Sequence, residues 1–189
     1  MANEKLIQVV DLCKSYHKLD VIKHISVDFS KNEVVSIIGP SGGGKSTFLR
    51  CMNLLEKTSS GQILFNGVDL TKLPLSEMYK IRGNDISVIF QEPMTSLNPV
   101  FSIEQQLSEP FIIHQGLSKK EAAEKSVDLL REVKIPNPEI VAKQYPHQLS
   151  GGMRQRVMIA MALACNPKLL IADEPTTALD VTIQAQILK

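Results

Sequence analysis

The sequence predicts an α/β fold whose core carries a phosphate-binding loop and is interrupted by a helical insert. Three stretches predict it. Residues 39–46 read GPSGGGKS between a strand-like and a helix-like segment. Residues 169–174 read LLIADE, an apolar run that ends in two carboxylates. Residues 149–155 read LSGGMRQ, a serine and two glycines at the head of a long apolar helix. Strands that feed helices through short polar loops are the pattern of an α/β core.

The elements follow in order. LIQVVDL (6–12), VIKHISVDF (21–29), EVVSII (33–38) and QILFN (62–66) read as strands, and Asn66-Gly67 marks a turn after the last of them. From Lys45 to Leu55 the period becomes helical. ISVIF (86–90) is a further strand, and QEPMTSLNP (91–99) is loop, with two prolines in nine residues. Ser118 with Glu121 three residues on makes a capping box for a helix to Val133, with Ala123, Val127, Leu130 and Val133 on one face. Pro136-Asn137-Pro138 breaks the chain. Ser150 caps a helix that runs to about Cys165, where Asn166-Pro167 ends it. LLIAD is expected to be buried on both faces, and a last helix starts at Thr182. Residues 92–148 are therefore a mostly helical insert, and 1–91 with 149–189 form the core.

Composition narrows the function. The 189 residues carry 21 Lys and Arg against 20 Asp and Glu, a net charge of +1, which gives no electrostatic case for nucleic acid or an anionic membrane. Cys13, Cys51 and Cys165 are odd in number and far apart, as reduced thiols are. No run approaches the ~20 apolar residues of a membrane-spanning helix, so work at a membrane would need another chain to hold this one there.

The three stretches carry chemistry. Gly39-Pro40-Ser41-Gly42-Gly43-Gly44-Lys45-Ser46 satisfies G-x-x-x-x-G-K-[ST]. Its glycines let successive N–H groups turn toward phosphate oxygens, and the helix that follows adds its positive end. Lys45 is expected at the β- and γ-phosphates of ATP, the Ser46 hydroxyl on Mg²⁺, and Thr47 at the α-phosphate. Asp173 is expected to hold Mg²⁺ through water. Glu174 is expected to orient and deprotonate the attacking water. Ser150, Gly151 and Gly152 open a helix and so form a second anion site. The first site does not obviously reach it within one chain, which points to a sandwich of two subunits.

LSGGMRQ, followed by an apolar helix and a strand ending in Asp-Glu, resembles the signature motif of the ATP-binding subunits of ABC transporters, and the resemblance covers essentially the whole chain. It implies the ABC ATPase fold: a P-loop NTPase core with a small N-terminal antiparallel β subdomain and a helical subdomain that bears the signature at its end. It implies that Gln91 contacts Mg²⁺ and the attacking water and senses the membrane partner. It also implies that Asp180 in Ala178-Leu179-Asp180 lies at a dimer interface and that Tyr16 stacks on adenine. Two subunits, identical or sister chains, would pack head to tail, so that Ser150 and Gly152 of one face the ATP held by Lys45 of the other. The implied partners are transmembrane permease subunits and, through them, an extracytoplasmic solute-binding protein, with the chain peripheral on the cytoplasmic side of the membrane. Nucleic acid is not among the partners: ABC-type ATPases that act on DNA or ribosomes bring long coiled coils or basic arms, and neither is present.

The stretches 81–91, 91–99 and 145–188 are similar to dipeptide and oligopeptide importer ATPases, whereas 37–70 is more similar to polar amino-acid importer ATPases. The region from Gln91 onward is the one that the resemblance sets against membrane subunits, so peptide import is the expectation. The family also has a switch histidine after a further strand. His17, His24, His114 and His147 all precede Asp180, so the sequence reads as truncated before that strand. The alternatives to a peptide-importer ATPase are a truncated ATP-binding module with little turnover and a polar amino-acid importer ATPase. A chain extended through further core strands is expected to aggregate less and melt higher than these 189 residues. Equal solubility and equal Tm in a side-by-side comparison would contradict this.

Overall fold

A computed structural model describes residues 4–90 and 96–174. They divide between two compact units, Met1–Tyr79 and Lys80–Lys189.

The first unit is built on a long antiparallel hairpin. β1 (Lys5–Tyr16) and β2 (Leu19–Ser30) are joined by a two-residue turn at His17-Lys18, with His17 at φ 53°. Both strands extend past the expected segments because a turn this tight lets pairing run to its foot, where Tyr16 faces Leu19. β3 (Ser60–Phe65) pairs with the other edge of β1, and β4 (Val68–Asp69) pairs with β3 across the Asn66-Gly67 turn, giving the order β2-β1-β3-β4. Asn66 at φ 49° and Gly67 at φ 80° provide the two left-handed residues that such a hairpin turn needs. Ile7, Leu12 and Ile63 are wholly buried. The helix α1 (Lys45–Met52) buries Phe48, Cys51 and Met52. Burial pushes the Cys51 thiol up to about 11. A 3₁₀ turn (Leu70–Lys72) and α2 (Leu75–Ile81) follow.

The expected strand at 33–38 does not form. Among the described residues they join no ladder, and Val34 and Ile38 are 98% and 92% exposed. Alternation and β-branching state a preference, but a strand exists only by its ladder. Among the described residues no strand lies beside this one.

The second unit joins a parallel pair to a helical layer. β5 (Ile86–Ile89) and β6 (Leu169–Ala172) pair in register from Ile86–Leu169 to Ile89–Ala172, so both carboxyl ends finish side by side. β6 is not buried on both faces as expected: Ile171 is buried, but Leu170 and Ala172 are exposed. A strand in a two-stranded described sheet lacks the layers that close both faces of a larger parallel one.

The helices are α3 (Ile103–Gln115), α4 (Lys119–Glu132), α5 (Pro138–Ala142) and α6 (Gly151–Leu163). A capping box starts α4: the Ser118 hydroxyl accepts from the Glu121 N–H, and Glu121 accepts from the Ser118 N–H. The hydrogen bond from the Ser118 hydroxyl, then that from its N–H, holds the Glu121 carboxyl below its ordinary range. A second box, Ser102 with Gln105, starts α3. The buried face of α4 is Ala122, Ser126, Leu129 and Leu130, rotated from the expected stripe, with Ala123, Val127 and Val133 half-buried at its flank. The rotation follows from a hydrogen bond between the Ser126 and Ser108 hydroxyls at 3.0 Å, which seats a polar residue at the contact of α4 with α3.

Leu107, Leu130 and Val157, from α3, α4 and α6, meet in one apolar cluster. Leu130→Ala should lower the stability of the chain by about 2–5 kcal/mol, whereas Ile113→Ala, at a residue 64% exposed, should cost less than about 0.5 kcal/mol. Urea denaturation of the two variants checks this.

Candidate nucleotide site

The phosphate loop lies in the first unit. Gly44 is the N-cap of α1 at φ 83° and offers no side-chain oxygen to the first turn. The N-cap position therefore places no side-chain acceptor at the positive end of the α1 dipole. Gly42 is at φ 76°, and Gly43 closes the loop by donating its N–H to the Pro40 carbonyl at 3.2 Å. The Lys45 ammonium donates to the Gly39 and Pro40 carbonyls at 2.8 Å each. It is thus folded back over the loop, where a phosphate oxygen would compete for it. Ser46 and Thr47 follow on the first turn of α1, both half-buried. Ser41 is exposed at the loop's tip.

The hairpin forms a wall under this loop. Lys14 pairs with Ile22 and Ser15 with Asp20, so Val21 is the extra residue of a β-bulge. A Cβ added at Gly44 would lie 2.9 Å from Val21 Cγ1 and 3.1 Å from its carbonyl oxygen. Gly44 is therefore required twice, by its left-handed backbone and by the approach of β2. Tyr16 stands at the end of the same hairpin, 39% exposed.

The carboxylates lie in the second unit. Asp173 follows β6, is 7% exposed, and is tied by its N–H to the Ile89 carbonyl at 2.9 Å. Glu174 is exposed and sits at φ 50°, a left-handed conformation that costs a non-glycine residue about 1 kcal/mol or more. Carboxyl ends of parallel strands are where α/β sheets place ligands. Ser46 and Asp173 present hard oxygens, which suit Mg²⁺. Among the described residues no group of three His, Cys, Asp or Glu could hold a metal ion.

The signature segment is also in the second unit. Ser150 is the N-cap of α6, its hydroxyl accepting from the Met153 N–H at 3.3 Å. Among the described residues a Cβ at Gly151 would meet nothing within 4 Å, so their packing does not require a glycine there. Arg156 donates to the Val133 and Lys134 carbonyls at 3.3 and 2.7 Å, fastening α6 to the end of α4. Gln91 and Asp180 lie outside the described residues, as does the helix expected from Thr182. Reading the residues singly missed Lys14, Val21 and Arg156. Lys14 had a signal: a charge two residues after the buried Leu12, on the inward face of β1.

Among the described residues no helix is long and apolar enough to cross a membrane. The chain is 56% identical over 170 residues to the oligopeptide transport ATP-binding protein AppD of Bacillus subtilis, covering 86% of this chain and 52% of that one. It is 48% identical over 197 residues to the dipeptide transport ATP-binding protein DppD of Lactococcus lactis, covering 100% and 56%. It thus spans about half the length of these curated relatives. Among solved structures it is similar to an ATP-binding cassette captured as a dimer in a post-hydrolysis state with ADP and Pi. The TM-score is 0.88 at 32% identity, covering 96% of this chain and 79% of that one. The model of the ABC transporter family matches residues 22–177, and the chain belongs to that family.

Proposed function

We propose that this chain is an ATP-binding and ATP-hydrolysing subunit that energises the import of peptides through an ABC transporter. One observation carries the reading. A single chain has two glycine-lined helix starts, at α1 and α6, and only the first is followed by a lysine and a hydroxyl suited to a triphosphate. The open space at Gly151 supports the second as a surface that another molecule approaches. The names of the relatives support peptides as the solute.

In this reading the loop 39–44 and the first turn of α1 hold the phosphates of ATP, Lys45 exchanges its two carbonyl partners for the β- and γ-phosphates, and Thr47 reaches the α-phosphate. Tyr16 stacks on the base. Ser46 and Asp173, with Gln91, hold Mg²⁺, which when bound neutralises charge on the transferred phosphoryl group. Glu174 accepts the proton of the attacking water. Ser150, Gly151 and Gly152 of a second ATPase subunit cover the γ-phosphate from the other side, with Asp180 at that interface. Closure of the pair moves the permease through the helical subdomain, 92–148, whose flanks 1–91 and 149–189 form the core. The chain works peripherally, on the cytoplasmic side of the membrane. Within these 189 residues no histidine follows Asp180, and turnover by them is proposed to run below that of a chain that carries one there.

Glu174→Gln should reduce Mg²⁺-ATP turnover by about a hundredfold or more while ATP still binds. A phosphate-release assay with parallel equilibrium binding checks this. Undiminished turnover in the Gln variant would remove Glu174 from the base role, and lost binding would make its role structural.

A further inference from the structure

Lys14 is a buried cation that the proposed mechanism does not use. It lies on β1 with Leu12 and Tyr16 on the same face, at a position the alternation assigns to an apolar side chain, and it is only 8% exposed. Burying an ammonium is costly unless its donors are satisfied. Here they are: Nζ donates to the Lys57 carbonyl at 2.7 Å and pairs with a Glu56 carboxylate oxygen at 3.3 Å. The same Nζ stands 4.4 Å from the centroid of the Tyr16 ring, a cation–π contact.

These partners fix where the ring can go. Glu56 and Lys57 follow α1, and the Glu56 N–H donates to the Arg50 carbonyl at the end of that helix. Lys14 is thus clamped to the carboxyl end of the helix whose amino end is the phosphate loop. On the other strand of the hairpin the bulged Val21, next to the Lys14–Ile22 pair, backs Gly44 of the loop. Lys14 covers one face of the Tyr16 ring, and the ring remains 39% exposed.

We propose that Lys14 is a positioning residue for the nucleotide base. Clamped by Glu56 and the Lys57 carbonyl, its ammonium holds the Tyr16 ring at a set distance from the phosphate loop, with the opposite face turned to adenine. A cation behind an aromatic ring also draws its π density back, which favours stacking of an electron-rich purine on the front. The proposal rests on Tyr16 being the base-stacking residue, and the experiment separates the two.

Calorimetric titration of the 189-residue chain with ATP and, separately, with inorganic tripolyphosphate tests it. The variants are Lys14→Met, Lys14→Arg, Glu56→Gln, Tyr16→Ala and the Lys14→Met/Tyr16→Ala double. Lys14→Met should weaken ATP about three- to tenfold and leave tripolyphosphate unchanged. Glu56→Gln should do the same to a smaller degree, and Lys14→Arg should restore much of the loss. In the Tyr16→Ala background Lys14→Met should have no further effect. Equal weakening of ATP and tripolyphosphate, or a Lys14→Met effect that persists without Tyr16, would overturn the proposal by making Lys14 a structural residue. If Lys14→Met does not fold, Glu56→Gln decides between the same outcomes from a partly exposed position. ATP affinity unmoved by Tyr16→Ala would remove the base-stacking reading itself, and the proposal with it.

Discussion

A phosphate chain leaves water only for a place where N–H groups and cations already point at it. The start of a helix is such a place, because its first turn has donors that the helix cannot use. In the proposed function this requirement organises the chain. At α1 it demands a left-handed Gly44 with no side chain, since β2 leaves less than 3 Å for a Cβ. The bulge at Val21 is the other half of that contact: an extra residue in β2 turns its carbonyl and side chain toward the loop. The long hairpin is then more than a cover, because one end of it carries both the floor of the phosphate loop and the Tyr16 ring.

The second helix start differs in a physically informative way. α6 has a conventional cap, Ser150, and is held at its first turns by Arg156 to the end of α4. The helix is therefore rigidly placed on the apolar cluster of α3 and α4. Its tip, Gly151, is open. A glycine inside a helix costs about 0.5–1 kcal/mol relative to alanine, and packing among the described residues gives no return for it. A ligand or partner that approaches closely would.

Elements with local signals were legible in the sequence. Ser118 with Glu121, and Ser150 ahead of an apolar run, marked helix starts that the structure has. Asn66-Gly67 marked a turn that closes a hairpin. The box of Ser102 and Gln105 was an equally local signal and could have marked α3, although Pro110 inside that helix masks its pattern. What was not legible depends on neighbours distant in sequence. Residues 33–38 have the composition of a strand and no ladder, and β6 has the composition of a doubly covered strand and one covered side chain, Ile171. On α4 the Ser108–Ser126 hydrogen bond turned the buried face in a way that apolar periodicity cannot report. The glycines of 39–44, Lys45 and the two carboxylates after β6 stand out in the sequence by residue type. Lys14 does not, because its meaning comes from Glu56, Lys57 and Tyr16 together.

In the proposed dimer one chain supplies the phosphate loop and a second supplies the signature serine. Mixing two defective variants tests it most directly. Lys45→Ala removes the phosphate-loop cation. Ser150→Asp keeps an N-cap as good as serine but sets a negative charge where the γ-phosphate would lie. Each variant alone should be inactive. A mixture should recover up to about a quarter of the wild-type turnover, because half of the dimers are mixed and each of these has one intact composite site. No recovery in the mixture, with dimers demonstrated by sedimentation, would contradict the account, as would full activity of Ser150→Asp by itself.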